Sequence, residues 1–262
     1  MNMAIYGIFR YHGTYNLGDA IQTVALSRLL PGVLRGVNRK NGKSPLGAML
    51  VANGWLGDNQ LPPSGMSEPC IFAGIFLAQE HNLDWLRRSS CPIGARDPYT
   101  HSKIVEAGLL AEMIGCASLT LPPYRGRRSG VYVVDSQVPD SISRTATKIT
   151  HHVPGKMSWR DQWARAIHVL DLYQSATLVY TSRLHVALPC LAFGTPVIFS
   201  CPDPNRINDP LVYKRISLLR SLGVNDGVIS KVKVESIANQ YRVFLERHLD
   251  IKVEEHPPHF PY

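Results

Sequence analysis

A chain of 262 residues is long enough for one large or two small domains, and its 45% apolar content with a mean hydropathy of −0.07 is that of a protein with a buried core. No run approaches the ~20 apolar residues of a membrane span, and the start, Met1-Asn2-Met3-Ala4-Ile5-Tyr6, lacks the basic and apolar regions of a signal peptide. The net charge of +8 is uneven, with 10 basic and 8 acidic residues over 1–123 against 18 and 12 over 124–262; an anionic small molecule or lipid surface fits this better than nucleic acid, because the charges are scattered and no zinc-finger spacing or aromatic RNA-binding run occurs.

Short β-type runs alternate with helical patterns, the signature of parallel α/β architecture. Ala4–Phe9 reads as a first strand and Asp19–Leu30 as the following helix, stopped by Pro31 and Gly32. Residues 36–69, rich in Gly, Asn, Pro and Ser, read as an irregular connection with a short helix near Leu46–Ala52. Cys70–Phe76 is the next strand, and Pro92–Ala95 leads through the turn Arg96-Asp97-Pro98 into a helix over Tyr99–Ala107, ended by Gly108.

Pro122-Pro123-Tyr124-Arg125-Gly126-Arg127-Arg128 reads as a linker, which divides the chain into domains at 1–123 and 124–262. The second series runs through strands Val131–Val134 and Lys148–His152. A helix capped by Ser158 then places Trp159, Trp163, Ala166, Ile167 and Leu170 on one face. Strand 177–180, helix 184–193, strand Pro196–Phe199 and helix 211–221 follow, with a last helix marked by Val234, Ile237, Ala238, Tyr241 and Leu245. The tail Glu254–His259 is expected to be loose. Two such series imply a cleft between domains, a common place for a ligand. The five cysteines (70, 91, 116, 190 and 201) contain no C-x-x-C pair and read as small core residues of a reducing, cytoplasmic compartment.

The chemistry-bearing residues gather at strand-to-helix turns. Thr181-Ser182-Arg183-Leu184-His185 sets a guanidinium fork and a histidine at a strand's carboxyl end, where open α/β sheets bind ligands. The bland alternative makes Arg183 a sheet-edge cap and His185 an ordinary helix-start residue. Asn16-Leu17-Gly18-Asp19 opens the first helix. Its glycine lets backbone N–H groups approach an anion, while Asp19 is either an N-cap or a partner for a substrate hydroxyl. Arg96 is an anion clamp or, beside Asp97, an ion pair bracing a turn; Lys214 is a further positive charge or a solvated helix lysine. His151-His152 lines the site or merely ends a strand, and His12 has the weakest case. No His, Cys, Asp or Glu cluster has metal-ligand spacing, so no metal is expected.

In order along the chain, Asn16-Leu17-Gly18-Asp19, Arg96-Asp97, Ser182-Arg183-Leu184-His185, Gly194-Thr195-Pro196-Val197-Ile198 and Tyr213-Lys214 before Leu222-Gly223-Val224 resemble the polysaccharide pyruvyl transferase family. That resemblance implies two Rossmann-like domains facing a cleft, as in GT-B glycosyltransferases. It implies phosphoenolpyruvate (PEP) as donor with no further cofactor, and a sugar diol of a glycan or lipid-linked saccharide as acceptor. Arg183, Arg96, Asn16, Gly18 and Lys214 then bind PEP, while His185 and Asp19 are catalytic. The chain departs from the family pattern at Ala73-Gly74 and Ser118-Leu119-Thr120, which leaves the acceptor open. The competing expectations are a GT-B glycosyltransferase using a nucleotide sugar, and a non-catalytic glycan- or anion-binding protein. Arg125, Arg127 and Arg128 are candidates for weak peripheral contact with an anionic inner-membrane surface, against the alternative of a solvated linker.

Overall fold

The computed structural model describes residues 4–11, 14–39, 43–45, 47–57, 69–80, 82–201 and 210–262. The chain divides into two compact units. The first comprises Met1–His12, Gln22–Ala117 and Ile237–Tyr262; the second comprises Gly13–Ile21 and Ser118–Ser236. The main boundary lies after Ala117, where the sequence suggested residue 123, and two further segments cross it. The Asn16–Asp19 loop belongs to the second unit, and the C-terminal helix belongs to the first.

The first unit carries β1 (Ile5–Arg10), β2 (Val33–Asn38), β3 (Met49–Leu56), β4 (Cys70–Leu77), β5 (Ile93–Ala95) and β6 (Glu112–Met113). They form one parallel sheet in the order β2-β1-β3-β4-β5-β6. Its helices are the greater part of α1 (Leu17–Ser27), α2 (Asn82–Arg87), α3 (Pro98–Glu106) and α8 (Glu235–Leu249). Every residue of β4 is buried, as a central parallel strand covered on both faces requires. Its ladder slips between Ala73 and Ile75, where Gly74 takes φ +76°. A Cβ at Gly74 would lie 2.7 Å from the Gly115 carbonyl oxygen and 3.0 Å from the Tyr241 ring, so only glycine fits. Beside this bulge the buried Tyr241 of α8 donates to the Ala73 carbonyl at 3.0 Å, which ties the C-terminal helix to this unit.

Two strands, β2 and β3, lie where an irregular connection was expected, and the helix expected over 46–52 is not formed: residues 49–52 lie in β3. Burial decided against the local signal. Leu50, Val51 and Ala52 are fully enclosed. The punctuating Gly54 sits at φ +86°, where a Cβ would strike the Tyr11 hydroxyl at 2.4 Å. The tail is likewise ordered by its partners. Tyr262 exchanges hydrogen bonds with Leu34 and Gly36 of β2, an outermost strand, and Glu255 pairs with Arg242 at 2.6 Å. The tail thereby covers an edge that would otherwise be open for pairing.

The second unit carries β7 (Val131–Val134), β8 (Thr147–Ile149), β9 (Leu178–Thr181), β10 (Val197–Phe199) and β11 (Ile229–Ser230). Their order is β11-β10-β9-β7-β8, parallel except for β11. Read from β8, this is the order that β2-β1-β3-β4-β5 follows in the first unit. Both sheets are thus doubly wound and Rossmann-like, with switch points between β1 and β3 and between β7 and β9. Helices α4 (Asp140–Ser143), α5 (Trp159–Ser175), α6 (Leu184–Phe193) and α7 (Pro210–Ser221) accompany the second sheet. Ser158 caps α5 as expected, accepting from the Asp161 N–H at 3.1 Å, and Trp159, Trp163, Ala166 and Leu170 are core.

Arg128, a candidate for membrane contact or a solvated linker residue, is instead built into this unit. It donates to the carbonyl oxygens of Gln174 and, at 2.7 Å, Phe193, and to the Thr195 hydroxyl. One guanidinium thus satisfies carbonyls at the C-terminal ends of α5 and α6. Arg128→Ala is expected to lower unfolding stability by about 2 kcal/mol, checked by urea unfolding, with Arg125→Ala as an unaffected exposed control.

The cysteine reading also changes. Parallel pairing of β4 and β5 brings the Cα atoms of Cys70 and Cys91 to 5.6 Å, and the two form a disulfide; Cys116, Cys190 and Cys201 are free and buried. Cysteine usage therefore gives no support to a reducing compartment. Among the described residues no helix is long and apolar enough to cross a membrane.

Candidate functional site

The second unit's switch point is where its chemistry collects. Asp135 follows β7, His151 and His152 follow β8, and Arg183 and His185 follow β9. Asp135 is held at φ +47°, an unusual conformation for a residue with a side chain. Its carboxylate accepts from the His151 N–H at 3.0 Å and from Arg183 Nε at 2.9 Å. Burial pushes the Asp135 carboxyl upward, but the His151 N–H, the Thr150 hydroxyl and the Arg183 charge outweigh it and hold the group below its ordinary range. Asp135 is thus an anionic node joining the ends of three strands.

Arg183 occupies the N-cap position of α6 and makes no side-chain cap. Its Nη2 donates to His152 Nε2, and with Nε committed to Asp135 the guanidinium is fixed in one plane. The side chain keeps 30% exposure. Nη1 has no hydrogen bond among the described residues, so one edge of the fork faces outward beside a helix N-terminus, an arrangement suited to an anion.

His185 departs from helical geometry, at φ −82° and ψ 21°. Pro189 is the cause: a proline inside a helix lacks the donor for the carbonyl four residues earlier and crowds it, and that carbonyl is His185's own. The helix is thus kinked at His185. The imidazole rests on Gly18, where a Cβ would come within 2.8 Å of Nδ1 and 3.0 Å of the His185 Cβ. Gly18→Ala is accordingly expected to displace the imidazole and to reduce activity at least tenfold with little loss of stability. Parallel rate and thermal-unfolding measurements check this, and an unchanged rate would disprove the contact's importance.

The Asn16–Asp19 segment reaches these groups through backbone pairing inside the second unit. Asn16 bridges His152 in antiparallel fashion, the Leu17 N–H donates to the His151 carbonyl at 2.9 Å, and the Val153 N–H donates to that of Tyr15 at 3.1 Å. Asn16 Oδ1 accepts from the Gly18 N–H at 3.1 Å, so Asn16 takes the capping role and Asp19 lies inside the first turn of α1. The segment carrying Asn16 and Gly18 therefore lies against His152 and His185 within one unit, not across a cleft between domains.

Arg96 is placed differently. It lies in the first unit, 3% exposed, with Nε 3.2 Å from Asp97 and its guanidinium 4.4 Å over the Phe76 ring. Asp97 in turn caps α3 through the Thr100 N–H at 2.9 Å. These contacts are those of the turn brace. Lys214 is half-buried on α7. His12 lies outside the described residues.

Beneath the cluster, His151 is 1% exposed and its Nε2 meets the Tyr173 hydroxyl at 2.7 Å. Burial, with Asp135 opposing it only in part, lowers the imidazole's pKa to about 3, so it is neutral at physiological pH. A depression of about 480 Å³ opens beside Asp135, lined by Ser136, Gln137, Ser143 and Lys148 among others. Asp135 and Tyr173 were missed in the sequence. The one signal for Asp135 is an acid directly after the β-type run Val131–Val134; Tyr173 reads only as helix core. Among the described residues no group of His, Cys, Asp or Glu is arranged to hold a metal ion.

Compared with known proteins, the chain is similar to a solved structure of a functionally uncharacterised protein from Klebsiella pneumoniae subsp. pneumoniae, at 15% identity over 80% of this chain and 87% of that one, with a TM-score of 0.44. It is also similar to the UDP-GlcNAc 2-epimerase of Methanocaldococcus jannaschii, at 10% identity over 94% and 99% of the two chains, with a TM-score of 0.41. No curated protein matches the chain. Over residues 78–200, which include Arg96, Asp135, Arg183 and His185, the chain matches the model of the polysaccharide pyruvyl transferase family.

Proposed function

We propose that the protein transfers pyruvate from PEP to two hydroxyls of a saccharide, forming a cyclic ketal and releasing phosphate. The observation that carries this reading is the pairing of Arg183, oriented by Asp135 and His152 at the N-terminus of α6, with the imidazole of His185. The family match supports pyruvyl transfer to a polysaccharide. In the reaction one sugar hydroxyl adds to C2 of PEP and the methylene carbon C3 takes a proton. Phosphate leaves C2 and the second hydroxyl closes the ring, releasing the hydroxyl protons. Such chemistry needs a clamp for a carboxylate or phosphate and one group that moves protons near neutral pH. Arg183 and the α6 N-terminus meet the first need, with the Asn16–Gly18 turn alongside, and His185 meets the second. Asp19, in the first turn of α1, is assigned to orient an acceptor hydroxyl.

The acceptor is a glycan or lipid-linked saccharide; for a lipid-linked one, the exposed Arg125 and Arg127 would add a weak, salt-sensitive attraction to an anionic membrane surface. The test is incubation of the protein with PEP and lipid-linked oligosaccharides, followed by mass spectrometry and phosphate measurement. Stoichiometric phosphate and a pyruvate-bearing saccharide are expected. Release of nucleotide from UDP- or GDP-sugars, with PEP untouched, would overturn the reading.

A further inference from the structure

Tyr15 stands 69% exposed immediately before Asn16. An exposed aromatic on a loose loop would carry little meaning, but this one is fixed. The Val153 N–H bonds its carbonyl at 3.1 Å, and the next two residues pair with His152 and His151. One side of the ring rests on Gly155, where a Cβ would lie 2.8 Å from both Cε1 and Cζ of the tyrosine and 3.0 Å from its hydroxyl oxygen. Any larger residue at 155 would lift the ring. The result is an aromatic face backed by glycine, on a backbone paired with the 151–153 segment, whose His152 Nε2 meets Arg183.

A single flat exposed ring does not match a protein-docking surface, which needs a contiguous apolar patch. It matches a pyranose, which presents a patch of C–H groups on one face and hydroxyls around its rim. Aromatic side chains that are apolar on the face and polar at the tip suit such a ligand, and the backbone carrying Tyr15 is paired with the segment whose His152 holds Arg183. We propose that Tyr15 is the stacking platform for a sugar ring of the acceptor, holding that saccharide against the Arg183–His185 cluster. This rests on the pyruvyl-transfer reading and deepens it by locating the acceptor.

The probes are three neutral β-linked disaccharides (lactose, cellobiose and N,N′-diacetylchitobiose), titrated by saturation-transfer NMR against the wild type, Tyr15→Phe and Tyr15→Ala, with UDP and PEP in parallel. The wild type is expected to bind at least one disaccharide, Tyr15→Phe to retain it within about threefold, and Tyr15→Ala to weaken it at least about tenfold with PEP binding unchanged. Binding of no disaccharide by the wild type, an unchanged affinity in Tyr15→Ala, or a loss confined to UDP would each overturn the proposal. PEP-dependent phosphate release on the same preparations separates the two readings. Tyr15-dependent sugar binding without phosphate release ends the pyruvyl-transfer reading and leaves the platform. Phosphate release with an acceptor KM indifferent to Tyr15 ends the platform alone.

Discussion

Replacing His185 by alanine is expected to slow pyruvyl transfer by about 10²–10⁴-fold, the usual contribution of one positioned acid–base group. PEP affinity should remain within a few-fold, because Arg183 is oriented by Asp135 and His152 without help from the imidazole. The complementary variant, Arg183→Lys, keeps the charge but loses the planar fork. Its PEP affinity should fall about tenfold or more, while the rate at saturating PEP falls less. Steady-state kinetics with direct PEP titration separate the two effects. A His185→Ala enzyme at near wild-type rate would remove the proton-transfer assignment.

Acid should weaken the fold through His151. Its folded-state pKa, near 3, lies below the ordinary imidazole value of 6.5, so the unfolded chain binds the proton first. The stability due to burying neutral His151 is complete above about pH 6.5 and is lost as pH falls toward 3. At full separation the slope is about 1.4 kcal/mol per pH unit, and the loss is about 2 kcal/mol between pH 7.5 and 5. Asp135, whose pKa is lowered, adds a loss of the same sign that begins only near the carboxylate range. Urea midpoints at pH 7.5 and 5 for the wild type and His151→Gln measure the first effect. The variant should be less stable at pH 7.5 and have a shallower pH dependence. A parallel pH dependence in both would place the acid sensitivity elsewhere.

The second unit was the more readable half, for a physical reason. Its strands are short apolar runs bounded by turn residues, and its clearest helix is announced by the Ser158 cap and the apolar face that follows. In the first unit, β2 and β3 contain Arg35, Gly36, Asn53 and Gly54, which read locally as a loop. Only neighbours distant in the chain, such as Tyr11 against Gly54 and Tyr262 against β2, make strands of them. The same limit applies to the site. Arg183 and His185 could be chosen because a strand-to-helix turn is a local pattern. The partnership of Asp135 with Arg183 spans 48 residues, and the disulfide of Cys70 with Cys91 depends on two parallel strands lying side by side. The placing of Asn16–Asp19 in the second unit has no local signature, since it depends on antiparallel pairing with His151–Val153.

The proposed reaction turns on protonation of the PEP methylene carbon while a saccharide adds to C2. Running the reaction in D₂O with PEP and a lipid-linked oligosaccharide, and reading the ketal methyl group by mass spectrometry and NMR, tests that step at the reacting atom. One deuterium in each newly formed methyl group is the predicted result, with one phosphate released per ketal. A ketal methyl free of deuterium, or phosphate released with no ketal on the saccharide, would contradict it.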